Sequence, residues 1–224
     1  MGKHRLALLV GLAILIAIGG VVLLGGLGNN SSTGEVIAGG VPDTEEAQEI
    51  QATILQAYKL YDIAGRTFDA SQFPSVFVND PDVPLTRDQR ERLQEWFGAV
   101  PENAGYLTYV IACYTDFTRG AKLFEEAMAN ARAKGRDYLT PDEWRRIVEL
   151  HGGRPPAPRL QPSMTVEDAQ EMQKTLMRYD LIDVEDDKAR VIFDDGATLN
   201  KATLVRRGGK WYIAGVERLA VTGP

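Results

Sequence analysis

The sequence predicts an α+β protein: a single N-terminal transmembrane helix, then helices packed on a curved antiparallel sheet, with a helical insertion between them. Three observations carry this expectation. Leu6–Leu27 is a run of 22 residues without a charged or polar side chain. Several later segments open on capping residues and repeat apolar positions at helical spacing. The last third holds four strand-like runs, joined by turns so short that neighbours must be antiparallel.

About 20 apolar residues cross a bilayer as a helix, which is the form lipid permits to an isolated span. A cleaved signal peptide is the alternative. Its apolar region is usually about 7–15 residues and ends in a small-residue cleavage site. Here the run is longer, and "GGLGNNSST" (25–33) lacks an A-x-A pattern. Lys3, His4 and Arg5 precede the run, and no charge occurs after it until Glu35. The positive-inside tendency then keeps residues 1–5 cytoplasmic and exports the chain beyond the run. The expected layout is an anchor over 6–27, a flexible linker over 28–42 and an extracytoplasmic domain over 43–224 with a helical insertion at about 85–160. The chain is thus expected at the cell membrane, single-pass, touching lipid through Leu6–Leu27 and partnered by another membrane or cell-envelope protein.

Composition narrows the function classes. The chain carries a net charge of −6, and all but Lys3 and Arg5 of its basic residues lie beyond residue 34 with all 31 acids. Such an acidic surface argues against nucleic acid as a partner. Cys113 is the single cysteine, so no intramolecular disulfide forms.

Taken in order, Asp43 with Glu46 reads as a capping box. Ile50, Ile54, Tyr58 and Tyr61 then mark the buried face of a helix from Glu45 to about Ile63. Pro74 breaks helix, and "SVFV" (75–78) is a short strand candidate. Thr86 with Gln89 caps a helix through Trp96. A long helical pattern spans Ala104 to about Lys134, with Gly120 the place for a bend or a close helix crossing. Thr140, Pro141, Glu143 and Gly152 frame the next helix. After the extended "RPPAPRLQP" (154–162), Thr165 caps a helix to about Met177. The strands "YDLIDV" (179–184), "KARVIF" (188–193), "ATLNKATLVR" (197–206) and "KWYIAGVERL" (210–219) complete the chain.

In the last strand Trp211, Ile213 and Gly215 alternate with Tyr212, Ala214 and Val216. Both sets are apolar, so cover is expected on both faces: the first helix on one, the helices of 86–151 on the other. Such a strand closes a sheet more than it lines a pocket.

A capped helix running into "YKLYDIAGRTFDASQFPSVFV" (58–78), with a meander much later ending in "GGKWYI" (208–213), resembles the nuclear-transport-factor-like superfamily. That superfamily is a cone-shaped α+β roll that includes ketosteroid isomerases and many bacterial accessory domains. The resemblance covers about 43–80 and 165–220, while 85–160 departs from it. It implies a curved sheet wrapping the first helix, and a possible pocket at Tyr58, Tyr61, Asp62, Trp211 and Ile213.

An enzyme on that frame needs a carboxylate aimed into the cone, often beside a tyrosine. Tyr58 and Tyr61 serve more simply as core residues with their hydroxyls bonded at its edge. His151 at a helix end and His4 near the apolar run make neither a triad nor a zinc site. Cys113, on the apolar face of the long helix, reads as a small core residue. Asp183, Glu185 and Asp187 alternate as in a calcium loop, but Lys188 stands where such a loop needs Gly. With Asp194 and Asp195 these acids read as solvated hairpin turns. No catalytic, metal or cofactor residue is assigned. The expected function is a membrane-tethered extracytoplasmic accessory or protein-interaction domain. A small-ligand-binding cone is the alternative, and an isomerase- or hydratase-like enzyme the third reading.

Overall fold

A computed structural model of the chain describes residues 40–222. The run Leu6–Leu27 and most of the linker lie outside the described residues. Among the described residues the elements are α1 (Glu45–Thr67), a 3-10 turn (Phe73–Ser75), α2 (Arg87–Phe97), α3 (Tyr106–Ala133), α4 (Pro141–Leu150) and α5 (Val166–Leu176). Then come the strands β1 (Arg178–Glu185), β2 (Lys188–Asp194), β3 (Thr198–Arg207) and β4 (Lys210–Val221).

The cap of α1 is Thr44 rather than Asp43; its Oγ1 accepts from the Ala47 amide at 3.2 Å. The helix buries Ile50, Ile54, Ala57 and Tyr61 at the expected spacing and ends where Phe68 turns left-handed at φ 60°. The strand candidate at 75–78 shrinks to one parallel bridge, Phe77 to Ile213, because Phe73–Ser75 closes into a 3-10 turn. The Val78 amide donates to the Ile213 carbonyl at 3.0 Å, so this segment covers part of β4's outer edge. Both capping boxes expected at Thr86/Gln89 and Thr140/Glu143 form. Gly120 marks a close approach: a Cβ there would stand 2.8 Å from Cε1 of His151 at the end of α4.

The sheet is antiparallel in the order β1-β2-β3-β4. Its inner face gives Ile182, Val191, Phe193, Ala202, Leu204 and Ile213 to the core. The outer face carries in-register ion pairs, Asp183 to Arg190 at 3.0 Å and Lys201 to Glu217 at 2.6 Å. In β4 the pairing passes from Leu204–Ile213 to Thr203–Gly215, leaving Ala214 as a bulged residue. One extra residue reverses the alternation beyond it. Ile213 and Val216 therefore share a face, in place of the expected Ile213 and Gly215.

The expected fold class needs correcting. The sheet is open, with β1 and β4 as unjoined edges; four strands twisting by roughly 20–25° each do not wrap into a cone. No helix among the described residues is long and apolar enough to cross a membrane. On the outer face Leu181 and Val205 are each 4% exposed, so that face is covered in part. α2 and α3 line the same cavity as α1 and the inner face, while the outer face bears the cross-strand ion pairs.

Candidate ligand cavity

A cavity of about 740 Å³ lies between α1, the start of α2, the first half of α3 and the inner face of the sheet. That volume falls among small-molecule sites, commonly about 300–1,000 Å³. Helical spacing positions its walls. α1 presents Ile54, Ala57, Tyr58 and Tyr61, and α3 presents Tyr106, Tyr109 and Val110. Phe77 and Phe193 complete an aromatic lining in which Tyr61 and Phe77 stand 5.4 Å apart, Phe77 and Tyr106 5.9 Å, and Tyr58 and Phe193 6.5 Å.

One end is polar. The Asp195 side chain, in the turn between β2 and β3, accepts at Oδ1 from the amides of Ala197 (2.9 Å) and Thr198 (2.7 Å). Its Oδ2 accepts from the Tyr58 hydroxyl (2.9 Å) and Asn200 Nδ2 (3.3 Å), with Thr198 Oγ1 at 3.1 Å. A carboxylate offers about four lone-pair sites, and these donors occupy them. Asp195 thus pins the turn and holds Tyr58. It is not a base waiting for a substrate. The expectation that Asp194 and Asp195 sit in a solvated turn is corrected: they are 5% and 4% exposed. Asp194 is buried because it caps the Gly196 amide and pairs with Arg178 at 2.6 Å.

The tyrosines stay protonated. Burial first, then the Asp195 charge, pushes Tyr58 well above the ordinary phenol range. Burial does the same to Tyr61 and Tyr106, whose hydroxyls are also polar neighbours of each other. Burial raises Tyr109 too, against the lowering effect of Arg92, whose Nη1 donates to the Tyr109 hydroxyl at 3.1 Å. One turn further along α3, burial pushes the Cys113 thiol up to about 12, so it remains an unreactive core group.

Of the residues singled out from sequence, Tyr58, Tyr61 and Ile213 line the cavity. Asp62 does not; it pairs with Arg66 at 2.7 Å. Trp211 is 1% exposed and lies in the core outside the cavity lining, with the Arg206 guanidinium 5.2 Å from its ring centre. Sequence reasoning missed Arg92, Tyr106, Tyr109, Asp195 and Asn200. A signal existed for two of them: "DGAT" (195–198) is an Asx-turn pattern, and Asn200 interrupts an apolar strand face.

A second buried polar cluster sits further along α3, at Asp116. His151, expected at an ordinary helix end, is 4% exposed. Its Nδ1 lies 2.9 Å from the Arg154 carbonyl, and its Nε2 lies 3.1 Å from the Asp116 carbonyl and 3.4 Å from Asp116 Oδ1. Only an imidazolium donates from both nitrogens. The hydrogen bond to Asp116 accordingly raises the His151 pKa, against burial. Burial works to raise Asp116, but hydrogen bonds from His151 and Arg154 outweigh it and hold the carboxyl below its ordinary value.

The cavity has the volume for a small molecule and offers it both aromatic and charged walls; among the described residues no group of three His, Cys, Asp or Glu could hold a metal ion. No family model, no curated protein and no solved structure matches the chain.

Proposed function

We propose that this chain is a small-molecule-binding accessory domain with no chemistry of its own. One observation carries the reading: a cavity of about 740 Å³ with an aromatic wall and a charged one, whose single buried carboxylate, Asp195, already has its lone pairs occupied. A catalyst of the isomerase or hydratase kind needs a carboxylate free to take a proton. The test is extraction of small molecules from the purified full chain and from Ala202→Phe. Ala202 is 1% exposed and lines the cavity, so a phenyl ring there occupies ligand space. The expected result is a molecule released by the parent and absent from a variant with the same circular dichroism spectrum. Equal yields from both would place the molecule elsewhere.

One observation favours a protein partner as a second reading. β4 is an edge strand whose end exposes Leu219 (44%) and Val221 (64%), a surface suited to strand addition. Capture of one partner lost on Leu219→Lys and Val221→Lys would favour it. Kinship with the nuclear-transport-factor-like superfamily belongs to the proposal as well, supported by the order of elements alone, a long first helix facing a terminal meander. Attachment to a membrane, with the described domain outside the cytoplasm, is supported only by the sequence of Leu6–Leu27 and the basic residues before it. Carbonate-resistant recovery in membranes tests it.

A further inference from the structure

The residues lining the cavity divide by exposure. Ile54, Phe77, Val110, Ala202 and Ile213 are buried and form its floor. The exposed lining residues are Arg87, Asp88 and Glu91 on α2, with Glu217 and Arg218 on β4. The cavity therefore opens to solvent between those two elements. A hydrogen bond joins the two sides of that mouth: Gln89 Nε2 donates to the Val216 carbonyl at 2.9 Å, and both residues line the cavity. β4 is an edge strand, so a side chain of α2 supplies this carbonyl with the partner a fifth strand would give.

The chain that carries α2 is tied at its neck. It leaves the core at Asn79 and returns at Gly105, where a Cβ would stand 2.7 Å from the Asn79 Cα. Asn79 Nδ2 donates to Thr108 Oγ1 at 2.8 Å, and its Oδ1 accepts from the Thr108 amide at 3.0 Å. Asp82 pairs with Lys188 at 3.1 Å and Val83 packs over Gly215, so the part free to move starts at Pro84. Of its eleven residues α2 buries two, Gln89 and Leu93. Elements with so few buried contacts open at low cost. Arg92 donates to the Tyr109 hydroxyl at 3.1 Å, which ties α2 to α3 on the side away from β4.

Resting on the ligand-binding reading above, we infer that α2 is a lid over the ligand site, hinged on the α3 side and latched to β4 by the Gln89–Val216 hydrogen bond. Gln89→Glu tests the latch. A glutamate at this position still accepts from the Thr86 amide in the capping box, but an ionised carboxylate has no hydrogen for Val216. Parent and variant full chains are mixed with 2-acetylnaphthalene at about pH 8 and followed by stopped-flow protein fluorescence. Association and dissociation should both quicken by about tenfold, the worth of one hydrogen bond. Kd should not change, because the latch closes the free and the loaded chain alike.

A flexible bis-maleimide linker between Asp88→Cys and Glu217→Cys should slow both rates relative to the unlinked double variant. Cys113 is buried with its thiol protonated, so the linker spares it. In the ligand-free chain, Gln89→Glu should quicken amide exchange along α2 and leave Val110 on α3 unchanged. Rates untouched by both the variant and the linker, or exchange quickened equally in α2 and α3, overturn the lid while the ligand-binding reading stands. No saturable signal from the parent overturns both.

Discussion

Helix α3 meets two buried polar clusters, and it treats them differently. Its first half sets Tyr106 and Tyr109 against a cavity in which burial keeps every hydroxyl neutral. Two turns further on it sets Asp116 against His151 and Arg154, a charged corner in which each ring nitrogen and the carboxylate have partners. The corner joins α3 to the end of α4. The cavity is walled by neutral tyrosines on one side and by charged side chains of α2 and β4 on another.

That contrast breaks most sharply at Asp116. Asp116→Ala leaves two buried cations without a counter-charge, and removing one partner of a buried ionic cluster costs about 3–5 kcal/mol. Urea denaturation should show the loss. Probe affinity for the remaining folded protein should not change. On the cavity side, Ile54→Ala removes a side chain that is 1% exposed and should cost about 2–5 kcal/mol. Because Ile54 also lines the cavity, this variant should change probe affinity as well.

Smaller effects sharpen the picture. Gly120→Ala drives a methyl group toward the His151 ring, 2.8 Å from Cε1, and overpacking of this kind costs about 1–3 kcal/mol. Acidity then separates the two clusters. The folded pKa of His151 lies above its ordinary 6.5, so its contribution is complete below that pH and is lost as pH rises through the folded value. Asp116 is held below its ordinary 3.8, so its contribution is present above that pH and is lost as pH falls through the folded value. The corner therefore stabilises most between those two ordinary values, and His151→Gln should flatten the alkaline arm of a melting-temperature profile. Probe affinity should stay level over about pH 7–9, since the cavity tyrosines titrate above it. The smallest effect is Tyr58→Phe, which removes one hydrogen bond to Asp195 and should cost about 0.5–1.5 kcal/mol.

Local chemistry was legible in the sequence, and long-range meeting was not. Thr86 with Gln89 and Thr140 with Glu143 announce their helices because both partners lie within one turn. Four strands are readable from the "EDD", "DDG" and "RGG" turns for the same reason. Gly120 was readable as a close approach, but not that His151 supplies it from 31 residues away. The cavity was half visible. Tyr58, Tyr61 and Ile213 sit on elements whose faces periodicity defines. Trp211 shares the face of Ile213 as alternation predicts, but it pairs with Arg206 two residues nearer the hairpin turn, outside the cavity lining. Val216 lines the cavity in place of Gly215 because of the bulge at Ala214, which alternation along β4 alone does not contain. Asp195 looked solvated because acids in a turn usually are. Its burial depends on Tyr58, 137 residues earlier in the chain.

The central claim is that the start of α3, at Tyr106, Tyr109 and Val110, borders a ligand site and the corner at Asp116 does not. Methyl-labelled full-length protein, titrated with 2-acetylnaphthalene and monitored by NMR, tests it directly. Ile54, Val110 and Ile213 line the cavity, while Ile147 is buried on α4, outside the lining. Saturable shifts at the first three with Ile147 unmoved are the predicted result. Shifts centred on Ile147, or no saturable shift at Ile54, Val110 and Ile213, would contradict it.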